Sequence, residues 1–430
     1  MVEISGQIIP TSGDLSEIQI GNIIAAGGMS KVYDGIEKIN GTEREVAVKI
    51  LGGEKIQEIE LTFETLSNLV NQEITHENVG SFDLVKYFNE NSSEDRSFDE
   101  NIASVFGREN ILQVPRSFRE FLASSHAQKV STEQGNGSLL GNSSIRFVYE
   151  TTPGVDNQIL HPVLISDKFP DGTMDFYDWM DGLVNTKEQR IDSVITFLEG
   201  LKQIAEDLEI LHGENIIHRD IKPGNIMVLP NGKFVLTDFG NSLIGDITLN
   251  EAPFTPNYVA NERFKAGSAG LVIKSDHFSM MASIAEMMLK IGSVHTNKEA
   301  LYRFYPNKIN IQAAVQNNSN LIVSNIIQNQ GESELVHTFP EWIKSNLGLN
   351  DTHADEVYEL LKVGLSVDPD NRPDSLVEQI DSLIEIFKRN STNPMHKQNE
   401  EVIQPIEEGQ ERNSLLSTIS KIAGSILRRK

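Results

Sequence analysis

Between residues 18 and 51 apolar and polar positions alternate, in IQIGNIIAAGGMSKVYDGIEKINGTEREVAVKIL. This period of two predicts three strands, with turns at Ala25–Ser30 and at Asn40-Gly41. An Asn-Gly pair between alternating runs marks a tight hairpin. From 54 to 71 the period changes, and Ile56, Ile59, Phe63, Leu66, Leu69 and Val70 fall on one side of a helix. Residues 89–144 lose the pattern. NENSSEDRS and STEQGNGSLLGNSS are polar and low in complexity, and ILQVPRSFREFLASS between them has room for one short element. The expectation is a long, partly disordered insertion. Strand character returns at RFVYE and HPVLISDKF.

A helix over 190–212 follows from Ile191, Val194, Ile195, Leu198, Leu201, Ile204, Ala205, Leu208 and Leu211, with Gly213 as its stop. IMVL and KFVL around a Pro-Asn-Gly-Lys turn predict a second hairpin, and helical patterns run from Asp276 to about Arg389. Residues 391–412 read as an acidic, flexible linker. In 413–430, Leu415, Leu416, Ile419, Ile422, Ala423, Ile426 and Leu427 share one helical face, with Lys421 and Arg428–Lys430 supplying positive charge. Such a segment suits a membrane interface, a partner protein or a surface of its own chain.

Composition narrows the classes. At 430 residues and 39% hydrophobic the chain can bury a sizeable core. A net charge of -25 argues against nucleic acid, whose phosphates demand a basic footprint. The absence of cysteine excludes disulfides, thiolate metal sites and cysteine nucleophiles, and fits a reducing compartment. No signal peptide or membrane-spanning run is apparent, so a cytoplasmic protein is expected, with at most peripheral attachment to a membrane.

The densest chemistry lies in 216–240, IIHRDIKPGNIMVLPNGKFVLTDFG. The predicted hairpin places Asp220, Asn225 and Asp238, three oxygen-bearing side chains suited to a proton or a hard cation, on one rim. His218-Arg219-Asp220, Lys222, Asn225 and Asp238-Phe239-Gly240 together resemble the catalytic core of a eukaryotic-like (Hanks-type) serine/threonine protein kinase.

That resemblance implies ATP bound with Mg²⁺ and a protein as phosphoryl acceptor. It casts Asp220 as the base, Lys222 as the charge stabiliser, Asn225 and Asp238 as metal ligands, and His218 as a core residue. Val46-Ala47-Val48-Lys49 resembles the strand whose lysine holds the nucleotide phosphates, with Glu64 on the following helix as its partner and Glu60 and Glu73 as rivals. Ala25-Ala26-Gly27-Gly28-Met29-Ser30-Lys31-Val32 resembles the glycine loop of bacterial members, with Ala25 and Ser30 at the outer glycine positions. HPVLISDKF resembles the adenine-holding strand and hinge, Asp167 to Phe169, with Ser166 behind the pocket and Val32, Ala47 and Met227 lining the base. Thr255-Pro256-x-Tyr258-x-Ala260-Asn261-Glu262 resembles the end of an activation segment, and Thr248 is a candidate phosphorylation site in it. Glu262 is expected to pair with Arg372, and Asp276 to brace the catalytic loop.

The resemblance spans 18–390, with an N-terminal extension at 1–17. It implies an α+β, two-lobed fold: an antiparallel five-stranded sheet with one main helix (18–169, including the insertion at about 89–144), then a mostly helical lobe (170–390), with ATP in the cleft. A pseudokinase scaffold and a small-molecule kinase are the competing readings. The altered glycine loop favours the first, whereas the intact Lys49, Asp220, Asn225 and Asp238 oppose it. The activation segment and Arg372 oppose the second.

Overall fold

A computed structural model of the chain describes residues 8–10, 16–26, 30–39, 41–51, 61–75, 77–79, 81–93, 95–107, 116–140, 144–149, 160–183, 187–239, 242–244, 258–260, 262, 273–292, 339–366 and 368–391. The chain divides into two compact units, the first holding residues 1–173, 210–216 and 237–247, the second the remainder. Segment 413–430 and most of 391–412 lie outside the described residues.

The first unit is built on an antiparallel sheet of β1 (Ile8–Pro10), β2 (Ser16–Ala26), β3 (Ser30–Ile39), β4 (Thr42–Leu51), β5 (Ser144–Tyr149) and β6 (Leu160–Asp167), in the order β1-β2-β3-β4-β6-β5. The alternation in the sequence becomes two faces. Ile18, Ile20, Tyr33, Val46, Val48, Ile50, Val163 and Ile165 form one apolar cluster on one face. The opposite side of β4 presents Ala47 and Lys49. The β3–β4 hairpin closes through a two-residue turn between Ile39 and Thr42, and Gly41 sits at φ 81°, where a glycine carries no steric penalty.

One expectation is corrected here. The sheet has six strands rather than five, because Ile8–Pro10 pairs with Glu17–Gln19 as an added edge strand. Beside α1 (Phe63–Val70), the described residues of this unit carry α2 (Leu84–Asn91), α3 (Phe98–Phe106) and α4 (Arg116–Gln134). Much of the described part of the insertion, expected to be partly disordered, is therefore helical. Polar composition concealed a sparse apolar stripe: Phe98, Ile102 and Phe106 recur every four residues and are buried, as are Leu122, Ala123, Ala127 and Val130 of α4. Ser97 and Glu100 form a capping box that starts α3. Asp83 caps α2, accepts from Ser144 Oγ at 2.9 Å and pairs with the buried Arg146, tying that helix to β5.

The second unit is mostly helical. Its long helix α6 (Lys187–Gly213) follows β7 (Met174–Asp175) and α5 (Phe176–Asp181). Then come β8 (Ile216–Ile217), β9 (Ile226–Val228), β10 (Phe234–Leu236) and β11 (Leu243–Ile244), of which β11 and Ile216 belong to the first unit, as do the last residues of α6. Helices α7 (Lys274–Gly292), α8 (Phe339–Leu347), α9 (Asp351–Gly364) and α10 (Leu376–Asn390) follow among the described residues. The apolar residues of α6 turn inward as their spacing predicts. Gly200 lets α6 lie directly on Phe234, since a Cβ there would sit 2.4 Å from the ring. Phe176 and Trp179 pack on the same ring. Among the described residues no helix is long and apolar enough to cross a membrane.

Candidate active site

β8 delivers the chain into the second unit, into a loop that its own sequence pre-organises. Pro223 starts a single 3₁₀ turn ending at Asn225, with the Asn225 N–H on Lys222 O at 3.0 Å. The turn folds Asn225 back so that its Nδ2 donates to Asp220 O at 2.7 Å and to Asp220 Oδ2 at 3.2 Å. Lys222 Nζ donates to the same Oδ2 at 2.7 Å. Two donors on one oxygen fix the plane of the Asp220 carboxylate, which is buried together with Asn225. Past Asn225 the chain continues as β9, pairs antiparallel with β10, and turns at Gly232, φ 82°.

The loop backbone is strained. Arg219 has φ 71°, a left-handed conformation rare for a side chain of its size. Asp276, fully buried near the start of α7, accepts from His218 N and Arg219 N, each at 2.8 Å, one bond to each oxygen. Such bonds to a buried carboxylate are strong enough to hold that conformation. His218 Nδ1 in turn accepts from Asp220 N at 3.3 Å.

Glu262 and Arg372 form a buried bidentate pair, NH1 to Oε1 at 2.5 Å and NH2 to Oε2 at 2.9 Å. Arg372 also donates to Ser366 O and Lys274 O and lies over the Phe278 ring at 5.0 Å. These four bonds from one planar guanidinium are a geometry that a lysine could not reproduce.

A trio that the sequence reading did not single out stands beside this segment. Tyr177 and Tyr258 hydroxyls lie 3.0 Å apart and both bond the Glu286 carboxylate. Burial, reinforced by the charge of Glu286, pushes the Tyr177 hydroxyl up to about 12 and that of Tyr258 higher still. No sequence signal joins these residues, which come from α5, the loop before α7, and α7.

In the first unit, Val32 stands opposite Lys49 and Ala47 opposite Ser166, so these four share one face of the sheet, all half-buried. Lys49 Nζ donates to Asp238 Oδ1 at 2.8 Å. Asp238, like Arg219, is left-handed, at φ 64°. The expected Lys49–Glu64 pair is not formed. Glu64 occupies the exposed first turn of α1, whose inward positions belong to Leu66, Leu69 and Val70. Asp167 is exposed at the end of β6 and accepts from Arg44 at 2.9 Å, while Phe169 just beyond it and Met227 on β9 are half-buried. Ala25 is described only as a strand residue paired with Val32. Gly27, Gly28, Thr248 and Thr255 lie outside the described residues.

The donor chemistry fits Mg²⁺. In the second unit Asn225 spends its amide nitrogen on Asp220, so its oxygen is the atom that can ligate; in the first unit Asp238 presents a partly exposed carboxylate. Among the described residues no three His, Asp or Glu side chains converge as a closed metal cage. Mg²⁺ held partly by substrate phosphates requires none.

Residues 179–382 match the family described as protein kinase domain. The chain is 39% identical over 92 residues to the MAP kinase kinase skh1/pek1 of Schizosaccharomyces pombe, covering 20% of this chain and 23% of that protein. It is 28% identical over 201 residues to the mitogen-activated protein kinase mpk-1 of Caenorhabditis elegans, covering 45% and 43%. It is 32% identical over 122 residues to the dual specificity protein kinase zak2 of Dictyostelium discoideum, covering 26% and 19%. Each match thus spans less than half of the relative's length. A protein kinase domain thus lies over residues 179–382, and the curated proteins to which the chain is similar are protein kinases.

Proposed function

We propose that this protein transfers the γ-phosphoryl group of Mg²⁺-ATP to serine and threonine hydroxyls of proteins, itself among them. The observation that carries the reading is the Asp220 carboxylate, buried and fixed by Lys222 Nζ at 2.7 Å and Asn225 Nδ2 at 3.2 Å. Asp220 orients the acceptor hydroxyl and takes its proton as the oxygen–phosphorus bond forms and the bond to the β-phosphate oxygen breaks, releasing ADP. Lys222 neutralises charge growing on the transferred group, and Lys49 holds the phosphates that stay behind. Asn225 and Asp238 each offer an oxygen to Mg²⁺, which neutralises phosphate charge when bound. Val32, Ala47 and Met227 line the base, and Asp167 to Phe169 offer backbone groups to its edge.

The test incubates the full chain and its Asp220→Asn variant with labelled ATP, Mg²⁺ and a generic protein substrate. The wild type should label protein. The variant should lose about 10²–10⁴-fold in rate, the contribution of a positioned base, while still binding ATP. Equal rates for the two would remove Asp220 from the mechanism. Phosphoamino-acid analysis decides the acceptor, and label on tyrosine alone would overturn the serine/threonine assignment.

A further inference from the structure

The helical insertion touches the segments of chain that flank the site residues. On α4, His126 Nε2 hydrogen-bonds the Glu214 carboxylate, a partner 88 residues away. Glu214 belongs to the turn that ends α6, where its N–H bonds Leu211 O and the next residue, Asn215, is left-handed at φ 58°. From that turn the chain runs through β8 directly into His218-Arg219-Asp220. The same helix packs against β11, the strand that follows Asp238-Phe239-Gly240.

His126 is itself held rigidly. Its ring stacks on Phe98 at 4.1 Å between centroids, Phe98 meets Phe88 edge-on at 5.5 Å, and Phe88 stacks on Phe106 at 5.7 Å. Phe98, Phe88 and Phe106 are all buried. Aromatic stacking of this kind leaves the imidazole little rotamer freedom, so the bond to Glu214 is delivered by a fixed donor. Nothing in the phosphoryl-transfer roles set out above uses His126, Glu214 or the aromatic column.

We infer that α4 is a positioning element for phosphoryl transfer, and that His126, acting through Glu214, is the residue that fixes the entrance to the catalytic loop. The inference rests on the protein kinase reading and adds to it a function for the insertion: a change in α3 or α4 is transmitted to the turn at 211–216 and to β11. His126 is a positioning residue and touches neither ATP nor acceptor.

The test compares wild type, His126→Ala, His126→Gln and Glu214→Ala in the full chain. Glutamine places an amide nitrogen near the Nε2 position but cannot stack as imidazole does. In His126→Ala, kcat should fall about tenfold, the effect of losing one charge-assisted hydrogen bond, with KM for ATP within about twofold. Glu214→Ala should match it, and the double variant should fall no further. His126→Gln should keep kcat within about twofold of wild type. Amide hydrogen exchange at 211–217 and 242–244 should quicken in His126→Ala and not in His126→Gln. Wild-type kcat and exchange in His126→Ala would overturn the inference. So would a His126→Gln variant as impaired as His126→Ala, since packing on Phe98 would then be the whole role. If the wild type transfers no phosphoryl group, the kinase reading fails on its own, and the exchange comparison still decides whether α4 holds these segments.

Discussion

Removing the guanidinium of Arg372 while keeping the Glu262 carboxylate tests how the second unit tolerates a buried charge. In Arg372→Met, Glu262 is left with 2% of its side chain exposed and no cation. Breaking a buried ion pair from one side costs about 3–5 kcal/mol. The carbonyls of Ser366 and Lys274 also lose a donor, at about 1–3 kcal/mol for each that water does not reach. Set against a total stability of about 5–15 kcal/mol, the single variant is expected to be largely unfolded or close to it at 37 °C. Glu262→Met with Arg372→Met removes the stranded carboxylate and should recover at least about 2 kcal/mol relative to Arg372→Met. Both tryptophans, Trp179 and Trp342, belong to the second unit, so urea unfolding followed by tryptophan fluorescence reports on that unit. A double variant no more stable than Arg372→Met would show that the pair is not what holds this region, and the buried-charge reasoning would fall.

Lys49→Met should cost less than about 1 kcal/mol in stability, because its ion pair with Asp238 is partly exposed, yet lower phosphoryl transfer about 10²–10³-fold. Glu64→Gln in the same assay should stay within about twofold of wild type. A loss equal to that of Lys49→Met would mean that Glu64 replaces Asp238 as the partner of Lys49 during turnover. Tyr177 gives a pH signature. Below pH 10 its hydroxyl is neutral folded and unfolded, and its contribution is intact. Between 10 and about 12 the unfolded chain releases a proton that the folded one retains, so stability falls as pH rises. Urea midpoints measured across pH 9.5–11.5 should decline less steeply in Tyr177→Phe, and identical slopes would contradict the shift.

Periodicity was readable wherever one face of an element is buried. The strands between Ser16 and Leu51 and the long helix Lys187–Gly213 fall where alternation and helical spacing placed them. The cluster at 218–225 was visible because its residues are local in sequence and bond one another within a single turn. The helices of the insertion are hard to read in the sequence because Phe98, Ile102 and Phe106 are spread thinly among polar residues. The capping box of Ser97 and Glu100 was the available signal. Ile8–Pro10 is too short to show a period, and its pairing with Glu17–Gln19 is supplied by the neighbouring strand. Lys49 was matched to the nearest helix in sequence, whereas its partner Asp238 lies 189 residues away. Tyr177, Tyr258 and Glu286 likewise meet only through tertiary packing, which no single-chain pattern encodes.

The turn between Ile39 and Thr42 has a consequence beyond closing a hairpin. Because side chains on β4 alternate between an apolar cluster and the face that carries Ala47 and Lys49, the number of residues in that turn decides which of them meets the cluster. A turn one residue longer or shorter, with β3 and β6 unchanged, would drive the Lys49 ammonium among Tyr33, Val163 and Ile165 and expose Val48 instead. An unpaired ammonium there is too costly to hold, so the strand would detach before the lysine was buried. Insertions and deletions at 40–41 should therefore behave like active-site lesions, although Gly41 is exposed and its missing side chain would meet no other atom within 4 Å.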